Sequence, residues 1–359
     1  MKRIKNIKEF TGRYGGYWRD EVLDFCYLAN PYFPPRDFLR LLTRSFPRAV
    51  KFYPSTHKVV AGFLGRALGL DPDMLFVGNG GSECINVLNH NLTGSLLLPV
   101  PAFNEYENNR LNAGLKIRHF GLEEKSGFRV DPEKFIRAAR SADAAVIISP
   151  NNPTGLALGK DELLSVCRGT RRLDRLVVDE SFINFSYRDR KKDPTMLGSL
   201  GRFPHLAVLA SMSKDYGVPG LRIGYIASGD REFIAKLRRN NPIWNINCLS
   251  EVFLENLPEF LGDFHRSRID VIETTAELFK DLGRVPFLRP WPTSANFVFC
   301  EVRRPFSSTS LTELLLRKHG IYINDCSNKP GMDRRFVRIA SRDRHDNARL
   351  VETLEKLGR

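Results

Sequence analysis

No apolar run in this 359-residue sequence approaches the roughly 20 residues of a membrane-spanning helix, so neither a spanning segment nor a membrane partner is expected. The basic start, Met1 to Asn6, has no apolar stretch behind it and does not read as a signal peptide. Cysteine is sparse and scattered, at Cys26, Cys84, Cys167, Cys248, Cys300 and Cys326. No CxxC pair and no histidine spacing of a zinc site occurs, so no metal is expected, and the thiols read as reduced in a cytoplasmic protein. No internal repeat and no low-complexity linker is present, which excludes solenoids and loosely tethered modules. The net charge is +14, but Arg137, Arg140, Arg168, Arg171 and Arg172 are interleaved along the chain, and no nucleic-acid motif accompanies them. A solvated basic surface, or an anionic small molecule as partner, accounts for that charge.

What remains is an ordinary globular composition, 42% hydrophobic and 27% charged, with length for about two to three domains' worth of core. Residues 1–35 read as an irregular arm kept extended by Pro31 and Pro34. Helical patterns follow over 35–46, from the turn at 51–56 to Leu68, and through about Leu92. Strand patterns at 74–77, 95–100, 115–119, 144–149, 175–179 and 206–210 alternate with helical ones at 103–112, 132–140 and 160–168. A further strand is expected over 221–226, with Arg222 near its start. Such alternation predicts an α/β domain with a mostly parallel central sheet, whose ligands sit beyond the carboxyl ends of the strands. Asn152, Asp179 and Lys214 all fall at or just after such ends.

After Asn245 the pattern changes. A helical stretch over about 249–282, broken near Pro258, precedes strands at 295–301, 321–323 and 336–340 and helices at 310–319 and 345–356. These pieces predict a smaller α+β domain. The expected division is 1–45 as an arm with part of the small domain, 46–245 as the large domain and 246–359 as the small one.

The chemistry concentrates in the stretch from Ser211 to Tyr225. Lys214 sits at the mouth of a buried strand, behind Ser211 and Ser213 and near Arg222, with Gly217, Pro219 and Gly220 disfavouring a regular helix after it. A lysine amine bonds covalently to an aldehyde, and a neighbouring cation together with desolvation lowers its pKa enough to make it nucleophilic. Taken alone, Lys214 reads as a surface lysine. The register changes that reading: a hydroxyl residue three before the lysine, a glycine-rich turn, and an arginine eight after it. The stretch resembles the pyridoxal-phosphate (PLP) lysine segment of fold-type I aminotransferases.

That cofactor needs its phosphate held, its pyridine nitrogen kept protonated, its ring clamped and its aldehyde captured. Gly80, Gly81 and Ser82 at a helix start offer free N–H groups and a hydroxyl to a phosphate, and Arg222 adds a charge-assisted grip. Asp179 can pair with a pyridinium N–H. Asn152, in Pro150-Asn-Asn-Pro-Thr-Gly155, can bond the phenolic oxygen, and Phe103 can stack on the ring. Individually these residues also read as a capped turn, a strand-end arginine, a turn aspartate, an Asn-Pro turn and a core aromatic.

Together they resemble the histidinol-phosphate aminotransferase branch of the class I/II family, over nearly the whole chain. Within it the sequence is most similar to the L-threonine-O-3-phosphate decarboxylase group, through Leu23-Asp-Phe25, Asp179-Glu-Ser-Phe-Ile-Asn-Phe185, Pro242-Ile-Trp-Asn-Ile-Asn247 and Asp325-Cys-Ser-Asn-Lys-Pro-Gly-Met-Asp333. The resemblance implies a PLP-dependent transferase fold of type I, with helices on both faces of the sheet. It implies Lys214 and Asp179 as catalytic residues, and Gly81, Ser82, Phe103, Asn152, Ser211, Ser213 and Arg222 around the cofactor. Tyr53 matches a tyrosine that reaches the neighbouring subunit's site, which implies a homodimer. Arg338 matches the arginine for the substrate carboxylate, with Asn30, Asn152 and Asn324 beside it.

Two positions depart from the pattern. Phe182 stands where aminotransferases of the branch usually carry a tyrosine, a change that fits the decarboxylases. Asn324 stands where both groups usually place an arginine for a substrate phosphate. Lys51, Lys329 and the arm at 14–17 are the alternative anion grips. The expected activity is decarboxylation of a small amino acid with an anionic side chain, such as L-threonine or L-serine O-phosphate or a phosphonate analogue. The alternatives are an aminotransferase of histidinol-phosphate type and a non-catalytic protein of the same fold.

Overall fold

The computed structural model describes residues 7–13 and 15–358; Tyr14, one of the arm residues considered for anion binding, lies outside them. Seven strands make the main sheet: β1 (Leu75–Gly78), β2 (Leu96–Val100), β3 (Ile117–Gly121), β4 (Ala144–Ile148), β5 (Arg175–Asp179), β6 (Leu206–Ser211) and β7 (Gly224–Ser228). Their order is β1-β7-β6-β5-β4-β2-β3. Only β7 runs against the others, pairing antiparallel with both β1 and β6. Every residue of β4, β5 and β6 is buried, as a parallel strand covered on both faces requires.

Strand alternation sorts these side chains into two layers. Ala145, Ile147, Leu176, Val178, Leu206 and Val208 face a layer that holds helices His57–Leu68, Pro132–Ala139 and Lys160–Gly169. Ala144, Val146, Ile148, Val177, Ala207 and Leu209 face helices Gly81–Asn91, Asn104–Asn112 and Arg231–Arg239. The expected α/β fold with helices on both faces is thus realised. Because β4, β5 and β6 are adjacent and parallel, the residues after Ile148, Asp179 and Ser211 emerge side by side at one edge.

A second sheet, β8 (Leu288–Pro290), β9 (Phe297–Val302), β10 (Asn324–Asp325) and β11 (Phe336–Ala340), has the order β10-β11-β9-β8 and is antiparallel throughout. Helices Leu261–Leu282 and Arg344–Leu357 cover it. Leu23–Asp24 pairs parallel with Ile321–Tyr322, tying the arm to this smaller unit. Helix Leu261–Leu282 passes from one core to the other: Phe264 packs with the large core, and Val271 and Leu278 with the small one. The expected boundary at 45 falls inside helix Arg36–Ala49, and the one at 245 precedes helix Cys248–Asn256, whose Phe253 and Leu254 pack with the large core.

Three local expectations change. The strand expected over 221–226 starts only at Gly224, after a 3-10 turn at Pro219–Leu221, and Arg222 lies before it in the left-handed region at φ 59°. Gly224 explains the late start: a Cβ there would lie 2.7 Å from the carbonyl carbon of Gly80. Lys214 closes on a single helical turn, Met212–Asp215. Helix Arg231–Arg239 went unread, although Asp230 caps it by accepting from the Phe233 N–H at 3.0 Å. Among the described residues, no helix is long and apolar enough to cross a membrane.

Candidate active site

The carboxyl edge of the main sheet gathers the expected residues. Asp179 ends β5 and is buried. Its Oδ1 accepts from the Ser181 N–H at 3.0 Å and the Ser181 hydroxyl at 2.6 Å, and its Oδ2 accepts from the Tyr106 hydroxyl at 2.8 Å. Burial raises its pKa, while the Ser181 and Tyr106 bonds and nearby Lys214 oppose the rise. Tyr106 and Ser181 were not anticipated from sequence. Their only local signal is proximity to Phe103 and Asp179.

Lys214 follows β6 and is half-buried. Burial, then the charges of Arg338 and Arg222, pull its pKa down to about 8. Its backbone carbonyl accepts the Asn30 N–H at 2.8 Å, so the arm is pinned at the lysine.

The start of helix Gly81–Asn91 forms a narrow cup. Gly80 has φ 82° and ψ 168°, a region open essentially to glycine alone. A Cβ on Gly80 would lie 2.3 Å from Arg222 Nη2, and one on Gly81 would lie 3.0 Å from Ser211 Cβ. The Arg222 guanidinium donates only to neutral oxygens: the Asn79 carbonyl at 3.4 Å, the Pro219 carbonyl at 3.2 Å and the Ser213 hydroxyl at 3.5 Å. Ser82 is exposed in the first turn of that helix, and Ser211 and Ser213 are buried beside the cup. The first N–H groups of a helix have no partner within it. An arginine beside the first turn of a helix is the chemistry that a phosphate site uses.

Arg338, on β11, is buried. Its Nη1 donates to Asn152 Oδ1 at 2.8 Å and its Nη2 donates to the Cys26 carbonyl. Its Nε has no hydrogen-bond partner among the described residues. Arg338 therefore joins the small sheet, the turn after β4 and the arm, and among the described residues no carboxylate is bonded to it. Asn324 lies directly opposite on β10. Phe103, half-buried, precedes helix Asn104–Asn112 and packs on the core beneath the cup. Phe182 is buried edge-on against Phe297, at 5.3 Å between ring centres, and the Arg338 guanidinium lies 5.5 Å from the Phe297 ring centre.

Two expected residues stand apart. Asn30 is corrected from a free substrate ligand to a structural tie. Its Nδ2 donates to the Asp215 carbonyl and to Ser267 Oγ, each at 2.9 Å, and its Oδ1 accepts the Tyr32 N–H, so its polar atoms are occupied. Tyr53 is 77% exposed and stacks on Trp244 at 4.4 Å, rather than turning into this chain's own cluster.

The donor set suits pyridoxal phosphate at each end. The Gly80–Ser82 cup with Arg222 matches a phosphate, the Asp179 carboxylate a pyridinium N–H, and Lys214 with its lowered pKa an aldehyde. The chain matches the model of the aminotransferase class I and II family over residues 28–354. It belongs to that family. Its sequence is 34% identical over 352 residues to the CMP-5'-(3-aminopropyl)phosphonate synthase of Streptomyces rubellomurinus, covering 96% of this chain and 54% of that protein; the chain spans about half that relative's length. It is 30% identical over 345 residues to an L-serine phosphate decarboxylase of Campylobacter jejuni, covering 92% of this chain and 87% of the relative. Among solved structures, the histidinol-phosphate aminotransferase of Clostridium acetobutylicum aligns with a TM-score of 0.85 at 28% identity, over 94% of this chain and 99% of that one. The class I/II family expected from the lysine segment is thereby established, and with it pyridoxal phosphate as the cofactor.

Proposed function

We propose that this class I/II family member is a PLP-dependent decarboxylase of a small amino acid with an anionic side chain, such as L-serine or L-threonine O-phosphate or a phosphonate analogue. The observation that carries the reading is the similarity, over nearly the full length of both chains, to a protein named L-serine phosphate decarboxylase. Phe182 agrees with it, since it brings an apolar ring where aminotransferases of the branch usually carry a hydroxyl.

Arg338 takes the substrate α-carboxylate through its unpaired Nε, and its bond to Asn152 fixes the guanidinium. Asp179 holds the cofactor's ring nitrogen, backed by Ser181 and Tyr106. The bound cofactor supplies an electron sink for the bond that breaks. Lys214 would hold the cofactor's aldehyde, and its amine would be the group at the site able to move a proton. Arg338, seated against the Phe182–Phe297 pair, would orient the substrate by its carboxylate.

The exposed Tyr53–Trp244 pair supports a homodimer in which Tyr53 serves the partner's site. The six free cysteines support a reducing, cytoplasmic setting. The second reading, an aminotransferase, draws on the close superposition with the histidinol-phosphate enzyme. The test is to incubate the PLP-loaded protein with L-serine or L-threonine O-phosphate and measure CO2, against glutamate formed from 2-oxoglutarate. CO2 release without glutamate is expected. Glutamate and a keto acid without CO2 would establish the aminotransferase instead.

A further inference from the structure

Lys214, Arg222 and Arg338 gather at this edge of the sheet. Arg222 has a partner in the cofactor phosphate and Arg338 in the α-carboxylate. A further cation, Lys329, is buried in the loop after β10. Its ammonium donates to the Ala102 carbonyl at 3.1 Å and to Asn104 Oδ1 at 2.8 Å, the two residues that flank Phe103. An ammonium has three N–H donors, so one is left over after these neutral acceptors.

The nearest acidic candidate in the loop is spoken for. Asp325 accepts from Ser308 Oγ at 2.8 Å, Thr309 Oγ1 at 2.7 Å and the Ser327 N–H at 2.9 Å. Burial and the charge of Arg338 pull the Lys329 pKa down to about 8, as befits a cation without a counter-ion. A Cβ on Gly331, two residues on, would lie 3.9 Å from the Val100 carbonyl oxygen and the Pro101 nitrogen, so this part of the loop runs beside the segment that leads to Phe103.

Asn324 cannot supply the missing grip. It is neutral; its Nδ2 donates to Cys26 Sγ at 3.2 Å and its Oδ1 accepts from Cys326 Sγ at 3.6 Å. Lys51 is exposed on a turn beside Phe52.

We propose that Lys329 is the specificity-determining residue of this chain: it binds the anionic phosphate or phosphonate end of the substrate side chain, across the cleft from the α-carboxylate site at Arg338. The inference rests on the anionic-substrate reading above. A lysine suits the task as a compact point charge whose remaining donor can turn toward a tetrahedral anion.

The probes are O-phosphoethanolamine and ethanolamine, which share an amine, lack the carboxylate that Arg338 takes, and differ only in the phosphate. Their binding to the PLP-loaded protein is measured by calorimetry. The wild type should bind O-phosphoethanolamine at least about 10-fold more tightly than ethanolamine, the scale of one hydrogen bond to a charged group. Lys329→Met should weaken O-phosphoethanolamine by about 10- to 100-fold, leave ethanolamine and the cofactor's absorbance unchanged, and be largely rescued by Lys329→Arg. Equal weakening of both probes would make Lys329 a clasp between loop and sheet and overturn the inference. So would wild-type protein that does not distinguish the probes, and that result would also remove the anionic substrate. Selective, Lys329-dependent binding in a protein that releases no CO2 from L-serine O-phosphate would uphold the inference while the decarboxylase reading falls.

Discussion

Lys214 is an amine held among cations, and that environment sets its chemistry. Its pKa of about 8 follows from burial and from Arg338 and Arg222. Below that pH the ammonium dominates and cannot attack an aldehyde; above it the neutral amine does. Covalent capture of added PLP by protein stripped of cofactor should therefore quicken as pH rises through about 8, then level off. Arg338→Met removes one of the cations that depress the pKa, so the midpoint should move upward. A borohydride-trapped time course at several pH values measures it, and an unmoved midpoint would uncouple Arg338 from the lysine. Lys214 and Asp179 were legible in the sequence because each ends an apolar run, which fixes where it emerges whatever else the chain does. Asn30 and Tyr106 were not. Asn30 is committed by Asp215 and Ser267, and Tyr106 by Asp179, contacts made across 185, 237 and 73 residues that no local pattern records.

The decisive element is the turn from β1 into helix Gly81–Asn91. It brings backbone so close to Arg222 and to β7 that a side chain does not fit. Gly80→Ala would place a methyl group 2.3 Å from the Arg222 guanidinium in a backbone region that L-residues avoid. The guanidinium must then swing away from the cup. PLP affinity should fall about 10-fold or more, the scale of a lost charge-assisted contact, while the thermal midpoint of the cofactor-free protein changes little. Equilibrium titration with PLP and a melting curve separate the two. Affinity equal to wild type would mean that Arg222 does not face the phosphate. Strands β2 and β4 could be read from the sequence because each is a short apolar run, and β5 and β6 because each carries one. The start of β7 could not, since Gly224 is placed by its approach to Gly80, well over a hundred positions earlier. Helix Arg231–Arg239 carried a readable signal, the Asp230 cap with Phe233, Ile234 and Leu237 on one face, obscured by its many charges.

For the whole molecule, the exposed aromatics count. Phe46, Val50, Phe52, Tyr53, Ile243 and Trp244 lie exposed, and Trp244 stacks on Tyr53. This exposed apolar surface is the ground for the homodimer proposed above. Sedimentation should show twice the chain mass, and Tyr53→Asp with Trp244→Asp should yield monomers of much reduced activity. A fully active monomer would remove Tyr53 from any shared site. Of the site itself, the lysine segment was legible because Ser211, Ser213, Lys214 and Arg222 share one local register. The substrate half was less so, because Arg338, Asn152 and Cys26 meet only when the two cores close on each other. Helix Leu261–Leu282 begins in one of those cores and ends in the other. Melting either core therefore strips part of this helix's buried face and loosens the other. The two walls of the cleft are thus coupled through one helix, and that coupling guards the spacing of its charges.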